Sequence, residues 1–142
     1  MIQRPLKQKL ELLSERAALD ELARALRRFA DTTGMEGRAA MQLRLVLEEV
    51  LTNTIDYGNC AGTRIDIALN AECEGIRVEY RDCGIAFDPL REAPDDGVDL
   101  PVERRRVGGL GWTLIRNLCN PLSYAREGDS NVIRLTIAPD DL

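Results

Sequence analysis

Polar and apolar positions along this chain change period several times, and each change marks an element. Over residues 6–12 apolar and charged residues alternate roughly one for one, the spacing of a strand. Over 18–30 the period lengthens. Leu19, Leu22, Ala23, Leu26, Phe29 and Ala30 share one stripe while Arg24, Arg27 and Arg28 occupy the rest of the circumference, which describes a helix with one buried face. Thr33-Gly34 stops it. A second helix is expected over 36–57, with Leu43, Val46, Leu47, Val50, Leu51 and Thr54 facing inward and Gly58 as terminator.

Strict alternation returns in 63–70 and 76–80, with a turn-rich join over 70–75, and predicts an antiparallel hairpin. A second hairpin is expected near the C-terminus, 121–126 against 132–137, around Glu127-Gly128-Asp129. A short helix over 111–117 precedes it, with Leu114, Ile115 and Leu118 apolar. Between 88 and 107 no period survives. Pro89, Pro94, Gly97 and Pro101 punctuate that stretch, and loops of such length tend to be lids or binding loops. The order strand, helix, helix, hairpin, loop, helix, hairpin suits an α+β two-layer sandwich: a mostly antiparallel sheet with helices on one face. Alternating strands leave the other sheet face wet or covered by a partner.

Composition narrows this picture. A chain of 142 residues, 44% apolar, is expected to form one domain over 1–142, with a core built mainly from aliphatic side chains because only 4% of residues are aromatic. The net charge of −5 argues against nucleic acid as a direct partner, and Arg104-Arg105-Arg106 is the one compact basic cluster. No apolar run reaches the roughly 20 residues needed to span a bilayer, and no signal-like segment opens the chain, so no membrane partner and a cytoplasmic location are expected. The chain has no histidine, which removes Ser-His-Asp and Cys-His catalysis. Cys60, Cys73, Cys83 and Cys119 lack metal-ligand spacing and read as reduced, small apolar residues.

Three segments carry candidate chemistry. Glu49 and Asn53 fall one turn apart on the second helix, where a carboxylate can take a proton and a carboxamide oxygen can ligate Mg²⁺. Acidic helix residues more often simply face water, as Glu48 is expected to do. Asp82 and Gly84 follow a strand directly. They make either an ordinary turn or a site in which Asp82 accepts from a base amino group while Gly84 lets the backbone approach a flat ring. Phe87 suits a pocket wall or the core equally. Gly108-Gly109-Leu110-Gly111 before the last helix either permits a tight turn or offers N–H groups to phosphate, with Arg106 just upstream as added positive charge or a merely solvated residue.

Taken together, these segments resemble the small single-domain ATP-binding proteins of the anti-sigma-factor serine kinase group, within the superfamily of histidine kinases, gyrase, Hsp90 and MutL. The resemblance extends over about 10–137 and implies a Bergerat-type fold with a mixed sheet, three helices and a lid over about 88–107. It implies ATP and Mg²⁺ as cofactors, Glu49 as general base and Asn53 as metal ligand. Asp82 would contact the adenine amino group, with Gly84 and Phe87 beside it, and Gly108, Gly109, Leu110, Gly111 and Arg106 would lie at the phosphates. The implied partners are a small anti-sigma-factor antagonist domain, phosphorylated on serine, or a sigma factor, with the chain acting as a homodimer. The sequence departs from the family at Ala86, at Tyr57 in place of a frequent histidine, and at Asp129-Ser130-Asn131 in place of a Gly-Thr-Thr. The same features also fit a non-catalytic binding module that uses nucleotide only as a conformational ligand.

Overall fold

The structure, a computed structural model, describes residues 5–35, 37–91 and 109–138, with the backbone alone for 109–111. Chain order is β1 (Leu6–Leu13), α1 (Ala17–Thr33), α2 (Gly37–Tyr57), β2 (Arg64–Glu72), β3 (Gly75–Asp82), α3 (Gly109–Leu118), β4 (Cys119–Glu127) and β5 (Ser130–Ile137). The strands form one sheet in the order β1-β2-β3-β5-β4, and every pairing is antiparallel. The antiparallel pairing expected from strand alternation therefore applies to the whole sheet. The parallel pair implied by a mixed sheet is not found among the described residues.

Strand alternation divides the residues between two faces. Ile65, Ile67, Leu69 and Ala71 of β2, Ile76, Val78 and Tyr80 of β3, and Ile133, Leu135 and Ile137 of β5 are all buried. They face the stripes of the helices: Leu22, Leu26 and Phe29 of α1, then Leu43, Val46, Leu47, Val50 and Leu51 of α2, then Trp112 and Ile115 of α3, all in one continuous cluster. The helices lie in a row. α1 meets β1 and α2, α2 meets β5 and α3, and α3 meets β4. The opposite face carries charge. Arg81 and Arg134 alternate with Glu79 and Glu127 in a closed ring of four pairs, at 3.6, 3.1, 3.2 and 3.0 Å, and Arg64 bridges Glu11 and Asp66. Such exposed pairs stabilise little individually, but they keep this face polar and in register.

Two expectations are refined. The join expected over 70–75 shrinks to Cys73 and Glu74, because Ala71 and Glu72 continue the ladder onto Ile76 and Gly75. Gly75 makes this possible. It sits at φ 136°, and a β-carbon there would lie 2.4 Å from the Ile137 carbonyl oxygen, so only glycine fits. The cysteines also divide. Cys60 and Cys119 are buried and serve as small apolar residues, with burial pushing the Cys119 thiol up to about 11, whereas Cys73 and Cys83 are exposed. The lid assigned to 88–107 lies, from 92 onward, outside the described residues.

Phe29 is fully buried where α1 meets the rest of the core. Phe29→Ala should therefore cost about 3–5 kcal/mol, read as a lower urea midpoint at unchanged slope. Leu13→Ala, at a side chain 48% exposed, should move the midpoint by only about 0.5 kcal/mol equivalent.

Candidate functional site

The apolar inner face of the sheet ends in a polar rung. Asp82 lies directly opposite Asn131, and Asn131 lies opposite Arg126, with Tyr80, Ile133 and Tyr124 on the rung before. Asp82 and Asn131 are only 6% and 5% exposed. Burying a carboxylate is costly unless its oxygens are bonded, and here three donors supply the bonds. Asp82 Oδ1 accepts from the Gly84 amide at 2.8 Å and from Asn131 Nδ2 at 3.0 Å, and Oδ2 accepts from the Thr54 hydroxyl at 3.1 Å. A carboxylate has about four acceptor positions, so Oδ2 retains one.

Asn131 uses its whole side chain. Its Nδ2 also donates to the Ile85 carbonyl at 2.8 Å, and its Oδ1 accepts from Tyr124 Oη at 2.5 Å and from the Phe87 amide at 3.3 Å. This one residue thus fastens the segment after β3 to β5. Arg126 adds a second fastening, from Nη1 to the Gly84 carbonyl at 2.8 Å.

The end of α2 meets the same segment through backbone. The Ile85 amide donates to the Gly58 carbonyl at 3.0 Å. A β-carbon on Gly84 would lie 3.1 Å from that oxygen and 3.0 Å from Asp82 Oδ1, and one on Gly58 would lie 2.5 Å from the Thr54 carbonyl oxygen. Gly58 thus has no room for a β-carbon against the last turn of its own helix, and Gly84 packs tightly against Gly58 and Asp82.

Between α2, this segment, α3 and β5 lies a cavity of about 290 Å³ lined by Val50, Asn53, Thr54, Tyr57, Gly58, Asp82, Ile85, Phe87, Trp112, Asn131 and Ile133. Its walls are apolar apart from the Asp82 and Asn131 floor and the Asn53 and Thr54 side. A flat ring with one edge donor matches that distribution. Trp112 places the first turn of α3 at the rim, where the leading N–H groups of a helix have no intrahelical partner and favour anions.

The residues singled out from sequence separate into four groups. Asn53, Asp82 and Phe87 line the cavity, and Gly84 supports its floor. Glu49 is half-buried on α2, one turn before Asn53 and beyond the lining. Burial, and secondarily the Glu48 charge beside it, raise its pKa above the usual carboxylate range. Glu48 is held by Arg44 at 2.7 Å. Gly109, Leu110 and Gly111 form the first turn of α3, whereas Arg106 and Gly108 lie outside the described residues.

Sequence reasoning missed Thr54, Ile85, Trp112 and Asn131 as lining residues. Thr54 did leave a sign: it is the one polar member of an otherwise aliphatic stripe. Among the described residues no three His, Cys, Asp or Glu side chains gather as a preformed metal site, and no helix is long and apolar enough to cross a membrane.

An α+β sandwich with a base-sized cavity between its helices and one end of its sheet, floored by a buried aspartate, defines a nucleotide-binding class of domain. Residues 12–137 match the histidine kinase-like ATPase domain family, and the chain belongs to it. Membership brings ATP binding and ATP-using chemistry as the coarse function. Comparison with curated proteins finds no match.

Gly58→Ala would set a β-carbon against the Thr54 carbonyl oxygen, so the end of α2 must shift, and with it the Gly58 carbonyl that holds the Ile85 amide. We expect a stability loss of about 1–3 kcal/mol together with weaker ATP binding by calorimetry. Gly62→Ala, where a β-carbon meets nothing within 4 Å but φ is 78°, should cost stability through backbone strain and leave ATP affinity unchanged.

Proposed function

We propose that the chain is an ATP-dependent serine kinase of the anti-sigma-factor type, acting on a small antagonist protein in a partner-switching pathway. The observation that carries this reading is the placement of Glu49 one helical turn beyond a cavity whose floor suits adenine. In this reading residues 1–142 form one ATPase domain that works in the cytoplasm as a homodimer, with the antagonist or a sigma factor as its partner.

Adenine enters with its 6-amino group on the free position of Asp82 Oδ2, packed by Phe87, Ile85 and Trp112. The ribose and phosphates then leave the cavity toward Asn53 and the first turn of α3. Asn53 fits a magnesium site of the usual kind, in which one or two protein oxygens join water and substrate phosphates and no all-protein cage is needed. Magnesium, when bound, supplies positive charge against the phosphate oxygens. Glu49 takes the proton from the serine hydroxyl as its oxygen bonds to the γ-phosphorus, the bond from that phosphorus to the β–γ bridging oxygen breaks, and ADP leaves. A raised pKa makes Glu49 a better base near neutral pH than an ordinary carboxylate.

Radiolabelled ATP with the cognate antagonist tests this. Label should appear on a serine, and Glu49→Gln should lower its rate by about 100-fold or more while ATP still binds. ATP-dependent partner binding with no phosphoprotein would overturn the kinase reading in favour of a nucleotide-responsive binding module.

The same base sets a pH dependence. Glu49 must be ionised to act, so the rate falls as pH drops through its raised pKa. Glu48→Gln removes one cause of that elevation. The acid limb of the pH–rate profile should then move to lower pH, and a limb that stays in place would remove Glu48 from the account.

A further inference from the structure

The floor of the cavity is set by a group that does not line it. Tyr80 is fully buried on β3 and lies outside the cavity wall. Its hydroxyl donates to Thr54 Oγ1 at 2.7 Å. It shares a face with the apolar Ile76 and Val78, where phenylalanine would fill nearly the same volume without burying a hydroxyl. Burial also raises the phenol's pKa well above its ordinary value, so the hydroxyl remains a donor at neutral pH.

Thr54 has one proton and two acceptors within reach, the Val50 carbonyl at 3.2 Å and Asp82 Oδ2 at 3.1 Å. Bonding to the carbonyl one turn back is the habit of a helical threonine. A hydroxyl that itself accepts a hydrogen bond becomes a stronger donor, and a charged acceptor gains most from that. Tyr80, donating from behind, therefore turns the Thr54 proton toward Asp82. With Gly84 and Asn131 on Oδ1, this leaves one acceptor position on Oδ2. A 6-amino purine donates to that position, whereas a 6-oxo purine presents a second acceptor.

We propose that Tyr80 is a positioning residue that acts through Thr54 to make the pocket select a 6-amino over a 6-oxo purine. The proposal rests on the nucleotide reading given above.

The test is calorimetric binding of ATP and of inosine triphosphate, with Mg²⁺, to the wild-type protein and four variants. The wild type should prefer ATP. Tyr80→Phe should lower ATP affinity roughly fivefold to tenfold with little change for inosine triphosphate, so the ratio shrinks by about that factor. Thr54→Val should shrink the ratio at least as much, and adding Tyr80→Phe to it should have no further effect. Thr54→Ser keeps the hydroxyl and should keep the ratio; if Tyr80→Phe does not fold, a fluorotyrosine placed at position 80, a stronger donor of the same shape, should widen the ratio, and an unmoved ratio there overturns the relay. An unmoved ratio in Tyr80→Phe, or equal loss for both nucleotides, overturns the relay while leaving nucleotide binding intact. A wild type that binds neither nucleotide overturns the nucleotide reading and the relay with it.

Discussion

A carboxylate buried at the end of a sheet is the constraint on which the rest of this structure depends. Asp82 is held below the surface by donors from the end of α2, from the segment after β3 and from β5. A buried charge missing one of these bonds is strongly destabilising. The three segments must therefore converge at one point, and the register of β3 on β5, which sets Asp82 opposite Asn131, is one requirement of that convergence.

The same geometry explains why the cavity lies where it does. α2 packs along the sheet through aliphatic residues until Thr54, where the stripe turns polar just as the sheet face does. Beyond that point helix and sheet no longer have apolar surface to share. The gap between them is a cavity with an apolar wall and a polar floor, and recognition takes place at the margin of the core. Among the described residues the helix-free face, with its charge ring, lines no part of this cavity.

Much of this was legible in the sequence because it is local. Helical stripes, strand alternation and the four-residue step from Glu49 to Asn53 all repeat within a window of a few turns, and the elements they predict form within a few residues of the expected bounds. The polar floor was not legible in the same way. Thr54 and Asp82 are 28 residues apart, and Asp82 and Asn131 are 49 apart, so no spacing rule joins them. Tyr80 reads in sequence as one more inward residue of an alternating strand, and only the fold shows that its hydroxyl meets Thr54. Asn131 directly follows the turn in sequence, although its place in the alternation with Ile133, Leu135 and Ile137 puts it on the inner face. The second hairpin shows the limit from another side: β4 begins at Cys119, directly after α3, and shifts register before Leu122.

The contact between Gly58 and Gly84 has a consequence for how this pocket can change over time. Its hydrogen bond joins main chain to main chain, from the Ile85 amide to the Gly58 carbonyl, and the glycines on either side supply only the absence of a side chain. Ile85, Tyr57 and Phe87 can then be replaced without removing the bond that holds the two walls together. Lining and scaffold are thus inherited separately: drift in the side chains can retune what the cavity accepts while two positions without side chains keep it assembled.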